Sequence, residues 1–180
     1  MAKNNKNNAT FQVEPGSLME IVSQGGKRII SFRMLGEPPV QQHHRIAFRG
    51  IRRGWWVGRG QAFLYDPCSR QKSQYREALL AAFQDLQLVT IPSFLRATPL
   101  RLVVNFVCSR PITANQLFPT KKDVDNMVKF IMDAFQNVLY FDDKVIVTVN
   151  SRKTFPTAGS PVPAWTDMSV GTADLTTTDF

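Results

Sequence analysis

Four aspartates, Asp123, Asp125, Asp142 and Asp143, stand close together in a stretch running from Lys121 to Lys153, within a chain that is otherwise strongly basic. Carboxylate oxygens brought together from two elements suit a hard divalent cation. Mg2+ prefers oxygen ligands in near-octahedral geometry and keeps waters that a substrate phosphate can displace, and Mn2+ accepts similar donors. An ion held by Asp123, Asp125 and Asp143, with Asp142 as a further candidate ligand, would activate a water for phosphodiester hydrolysis. Lys129 lies one helical turn after Asp125 and could meet the charge that develops on a scissile phosphate.

Two elements must position these groups. Met127, Val128, Ile131, Ala134, Phe135 and Val138 recur at helical spacing, whereas Asp125, Asn126, Lys129, Asp133 and Asn137 fall on the opposite face. Asp123 is placed to cap this helix, its carboxylate accepting from backbone N–H groups that lack intrahelical partners. A short aromatic turn, Leu139 to Phe141, leads to Asp142 and Asp143. Val145, Val147 and Val149 then alternate as one face of a strand, which puts Asp143 at the strand's entrance. A strand packed beside the helix would bring that acid towards the helix start. A plainer reading exists for each acid alone. Carboxylates in a first turn complement the helix dipole by about 0.3 to 1 kcal/mol. Asp125 and Lys129 could equally be a surface pair. Neither explanation accounts for Asp142 and Asp143, or for so many like charges without a counter-ion.

The ordered set resembles the RusA family of Holliday-junction resolvases. The shared pattern is a basic residue before Asp-x-Asp-Asn, a Lys one turn on, Asp-Ala, then Asp-Asp leading into a strand with a closing Lys. Here these are Lys122, Asp123, Asp125, Asn126, Lys129, Asp133, Ala134, Asp142, Asp143 and Lys153. The resemblance implies a Mg2+-dependent endonuclease that cuts four-way DNA junctions, an α+β domain and a homodimer. Symmetry supplies a reason for the dimer, since resolving a junction takes two cuts on related strands and a two-fold pair presents two equivalent sites.

The rest of the chain suits a polyanionic partner. Its 180 residues carry a net charge of +8, with 43% hydrophobic and 20% charged residues, enough for one core and small for two. Between Lys27 and Arg76 eleven Lys or Arg face two acids, Glu37 and Asp66, an imbalance too large for salt-bridge lacing. Cations of that density release counterions from nucleic acid on binding. The segment from Ile46 to Tyr65 reads as two strands about a Gly-rich turn, with arginines beside Trp55 and Trp56, and either ring could stack on a base or pack in a core or interface. Arg45, Arg49, Arg52, Arg53 and Arg59 are the candidate phosphate contacts, joined near the acids by Lys121, Lys122 and Lys153.

Elsewhere Lys27 to Met34 alternates as a first strand, Ser69 to Leu88 as a helix buried along Tyr75, Leu79, Ala82, Phe83 and Leu86, and Leu100 to Val107 as a largely buried strand. Thr166 to Leu175 reads as a last strand. The expected architecture is α+β, a single domain with a mixed β-sheet and two main helices packed against it. Its expected bounds are a partly disordered extension over residues 1–26, the endonuclease domain over 27–175 and a frayed end over 176–180.

His43 and His44 are adjacent, and neighbours in an extended segment point to opposite faces and do not easily ligate one metal, so they read as surface or phosphate-contacting residues. Cys68 and Cys108 lack metal-ligand or disulfide spacing and read as reduced core thiols. No apolar run approaches twenty residues and the start MAKNNKNN lacks a signal's apolar region, so the expected place is inside a cell, with DNA and without a membrane. The other reading is a non-catalytic basic protein that binds branched or single-stranded nucleic acid. It would bind with strong salt dependence and cut nothing.

Overall fold

The computed structural model describes residues 11–22, 28–49, 52–53, 56–57, 61–85, 98–110, 118–156 and 163–173. Ten strands and two α-helices occur among them. The main sheet contains β1 (Gln12–Val13), β2 (Met19–Val22), β3 (Arg28–Leu35), β8 (Leu100–Val107), β9 (Ile146–Thr154) and β10 (Trp165–Thr172). Its order is β1-β3-β10-β8-β9, with β2 also paired to β3. All these pairs are antiparallel except β8 with β9. The sheet is therefore mixed, as expected.

Alternation decides which face of the sheet is covered. Ile30, Phe32 and Met34 of β3, Leu100, Leu102, Val104 and Phe106 of β8, and Thr166, Met168 and Val170 of β10 are buried. Helices α1 (Ser69–Asp85) and α2 (Val124–Phe135) supply the opposing apolar faces. Tyr75 of α1 meets Phe130 of α2 edge-on at a ring separation of 5.3 Å, and Phe135 meets Phe32 in the same way at 5.6 Å. Such pairs contribute about 0.5–1.5 kcal/mol beyond their burial. The described part of α1 buries Tyr75, Leu79 and Phe83, while Leu86 lies outside the described residues.

Residues 11–22, within the stretch read from sequence as an extension, contribute to this sheet. β1 and β2 line the outer edge of β3, separated by a turn in which Gly16 takes φ 76°. Phe11, Val13 and Leu18 are buried, and the Phe11 ring packs 4.3 Å from Tyr75. Sequence periodicity misses the segment because each strand is too short to show an alternating pattern. β10 also differs from expectation. It ends at Thr172 and lies between β3 and β8, at the centre of the sheet.

The expected two-stranded hairpin is instead four short strands. β4 (Arg45–Arg49) pairs with β7 (Gln61–Tyr65), and β5 (Arg52–Arg53) pairs with β6 (Trp56–Val57), both outside the main sheet. Helix α2 ends earlier than its periodicity suggests. Asn137 has φ 64°, a left-handed conformation that stops the helix, and Val138 is buried from the turn beyond it. Val145 falls in a 3-10 turn, Asp143–Val145, ahead of β9, whose Val147 and Val149 are 51% and 40% exposed because β9 is an edge strand.

Candidate active site

The parallel pairing of β8 and β9 requires a crossover, and α2 is that crossover. A crossover helix runs antiparallel to the strands it connects. Its start therefore lies beside the exits of β8 and β9, and its end beside the entrance of β9. This topology governs where the acids lie.

Asp123 occupies the N-cap position of α2 in an extended conformation, yet its side chain makes no cap hydrogen bond. The expected capping role is not realised, and the exposed carboxylate has no partner among the described residues. Asp125 and Lys129 are also exposed, and neither has an ion-pair partner among the described residues. The surface pair that sequence spacing allowed is absent. Asp143 begins the 3-10 turn near the other end of the helix. Asp142 caps that turn, accepting from the Lys144 backbone N–H at 3.1 Å.

A single groove of about 480 Å³ runs between helix and strand. From α2 it is lined by Val124, Asp125, Val128, Lys129 and Met132. Asp143, Val149 and Ser151 form the other wall. Asp125 and Asp143 thus line the same groove. The electrostatic neighbour of Asp143 on α2 is Asp133, eight residues after Asp125 and about 12 Å further along the helix axis at ~1.5 Å per residue. No three His, Cys, Asp or Glu residues gather closely enough to hold a metal among the described residues. The crossover puts the entrance of β9 and the start of α2 at opposite ends of the helix, and Asp143 lines from one wall the groove that Asp125 lines from the other.

Like charges leave their mark on the paired acids. A hydrogen bond with Asp142, helped by burial and the Asp133 charge, raises the Asp143 pKa above the usual carboxylate range. The Lys144 backbone N–H holds Asp142 below it. Burial pushes the Tyr140 phenol well up, with the Asp143 and Asp133 charges adding to the effect.

The basic candidates divide by environment. Lys121 is exposed, and Arg45 is exposed with a 3.3 Å bond to Gln42. The Lys122 ammonium bonds Glu37 at 2.9 Å and also the Pro38 carbonyl, while Lys153 bonds the Lys122 carbonyl. These two lysines already have internal partners, which their position beside the acids did not reveal. Arg49, Arg52 and Arg53 lie on β4 and β5, whereas Arg59 and Trp55 lie outside the described residues. His43 and His44 are exposed, and Cys68 and Cys108 are free and buried, as expected.

Sequence reading also misses Lys72. Its ammonium bonds Asp66 and Asp133 at 2.7 Å each, the latter across 61 residues. Nothing local signals that pairing.

Among curated proteins, no significant match to this chain was found. A family model does match. The model for endodeoxyribonuclease RusA covers residues 50–160, well over half the chain, including α1, β8, α2, β9 and all four candidate metal aspartates. Its nucleases act on branched DNA junctions and generally need a divalent metal. The chain belongs to the RusA endodeoxyribonuclease family and is a hydrolase of DNA.

Proposed function

We propose that this protein is a Mg2+-dependent resolvase that cuts four-way junctions by paired phosphodiester hydrolysis, acting as a homodimer in DNA recombination and repair. The observation that best supports this is the α2–β9 groove, which holds Asp125 and Lys129 on one wall and Asp143 on the other. The donors fit a hard cation by their chemistry. All are carboxylates, Asp123 and Asp125 have no partner among the described residues, and Mg2+ is commonly held by one or two carboxylates with waters and substrate phosphate completing its shell. When bound, Mg2+ supplies a water of lowered pKa and offsets charge on the phosphate oxygens, and Mn2+ is the natural substitute.

The chain's own residues have separable roles in this reading. Asp123 and Asp125 hold the ion at the helix start. Lys129, without an ion-pair partner among the described residues and one turn away, meets the negative charge that grows on the phosphate. Lys121 and the hairpin arginines Arg45, Arg49, Arg52, Arg53 and Arg59 take backbone phosphates along the junction arms. Lys122 and Lys153 brace the segment before Asp123 and add positive potential there.

Dimerisation would complete the site. β9 is an edge strand exposed along most of its length. A second copy paired antiparallel along that edge would lay the entrance of one β9 beside the exit of the other, so that Asp143 of the partner subunit approaches Asp123 and Asp125. Two equivalent composite sites would result, one for each strand to be cut.

The test is an end-labelled synthetic four-way junction, with linear duplex of matched sequence as control, incubated in Mg2+ and in EDTA. Symmetric nicks on the junction alone, and only with Mg2+, are expected. Binding without cutting in either buffer would refute the proposal. Mixing inactive Asp125→Asn and Asp143→Asn proteins then tests the shared site. After subunit exchange about half the dimers are mixed, each with one intact composite site, so about a quarter of wild-type nicking should return. No recovery would place each site within one chain.

A further inference from the structure

The Lys72 side chain, 12% exposed, is shared between Asp66 and Asp133, which are 18% and 27% exposed. Both contacts are 2.7 Å from its ammonium nitrogen to a carboxylate oxygen. Each acid belongs to a different part of the fold. Asp66 follows β7 at the base of the arginine-bearing hairpin and caps the start of α1 by accepting from the Cys68 N–H at 2.8 Å. Asp133 lies on α2, two turns beyond Asp125, and its charge is felt at Asp143.

Two carboxylates facing one point at this range are also what a divalent ion binds, at roughly 2.0–2.6 Å. We propose that Lys72 is a positioning residue that occupies a cation site between Asp66 and Asp133, so that among the described residues the acids left open to a divalent ion near the groove are those of the cleavage site. The inference rests on the metal-dependent cleavage reading above. Without the ammonium, Asp133 would present an uncompensated charge beside Asp143 and, with Asp66, a second place for the ion. An ion there lies at the far end of α2 from Asp125 and cannot serve it. Arginine at position 72 would keep the site closed, since a guanidinium also bridges two carboxylates.

The experiment counts ions and cuts in parallel. Mn2+ bound per chain is measured by electron paramagnetic resonance, and junction nicking is measured at saturating substrate together with junction Kd by gel shift. Lys72→Met is expected to bind one more Mn2+ per chain than the wild type and to nick at least about tenfold more slowly, with Kd within about twofold. Lys72→Arg should match the wild type in both. Adding Asp133→Asn to Lys72→Met should remove the extra ion and restore the rate. An unchanged ion count in Lys72→Met would overturn the proposal. So would a double variant that has the normal ion count yet stays slow. Should Lys72→Met not fold, Lys72→Gln takes its place: one more Mn2+ per chain with slower nicking is expected, and an unchanged ion count overturns the proposal. A wild-type protein that cuts no junction in Mg2+ refutes the cleavage reading itself, which the control reaction reveals separately.

Discussion

Replacing Glu37 with glutamine should loosen the segment that precedes Asp123, and its cost can be worked from the contacts. One carboxylate oxygen accepts from the Ser109 backbone N–H at 3.0 Å and from the Ser109 hydroxyl, and the other accepts from Lys122 at 2.9 Å. Burial alone would raise this acid's pKa, but the Ser109 and Lys122 bonds outweigh it and hold it below the ordinary value of 4.5. Hydrogen bonds to a charged group contribute about 1.5–3 kcal/mol when sheltered. With the Glu37 side chain 43% exposed, a discounted loss of about 1–2 kcal/mol is reasonable for Glu37→Gln, which keeps the shape and loses the charge. For a chain of this size that is a fall of roughly 2–8 °C in Tm. The pH dependence has a definite sign. A pKa lowered on folding means that the contribution is fully present above about pH 4.5 and is lost as pH falls through the folded value. Urea unfolding of both proteins at pH 7 and near pH 3 measures this. The gap should be open at pH 7 and narrower at pH 3. Equal stability at pH 7, or a gap that does not narrow in acid, would refute the reasoning.

Asp125→Asn should keep the fold and junction affinity while nicking falls by about a hundredfold or more, because an exposed ligand is lost without a core contact; coupled loss of binding in a gel shift would contradict the assignment. Lys129→Met should lower the nicking rate about a hundredfold at saturating junction and change Kd little, as expected of a group that acts on the developing charge. Gly171→Ala should destabilise by about 1–3 kcal/mol, read from urea unfolding, because the new Cβ would stand 2.8 Å from both the Arg28 carbonyl oxygen and the Ile29 side chain at the β10–β3 pairing.

Much of this molecule is legible in its sequence because burial writes a period into the chain. β3, β8 and α2 follow the alternation or helical spacing of their apolar residues, since each buries one face against the same core. The acids and the arginine-rich hairpin are legible as chemistry, and their order carries the family. What stays hidden depends on partners distant in the chain. β1 and β2 are too short to show a pattern and are held by β3. Nothing in Trp165–Thr172 itself marks it as the central strand between β3 and β8. The end of α2 is decided by the left-handed backbone at Asn137 rather than by the apolar period, which continues past it.

The sequence by itself determined which residues can bind a cation and phosphate, and that Asp125 and Lys129 share a helix face. Only the tertiary structure decided that Asp143 lines the same groove as Asp125, that Lys122 and Lys153 are held by internal partners, and that Lys72 neutralises Asp66 and Asp133. The physical reason is the parallel crossover. Residue type and local spacing fix what a side chain can do, but the direction in which a helix returns across a sheet sets which charges meet.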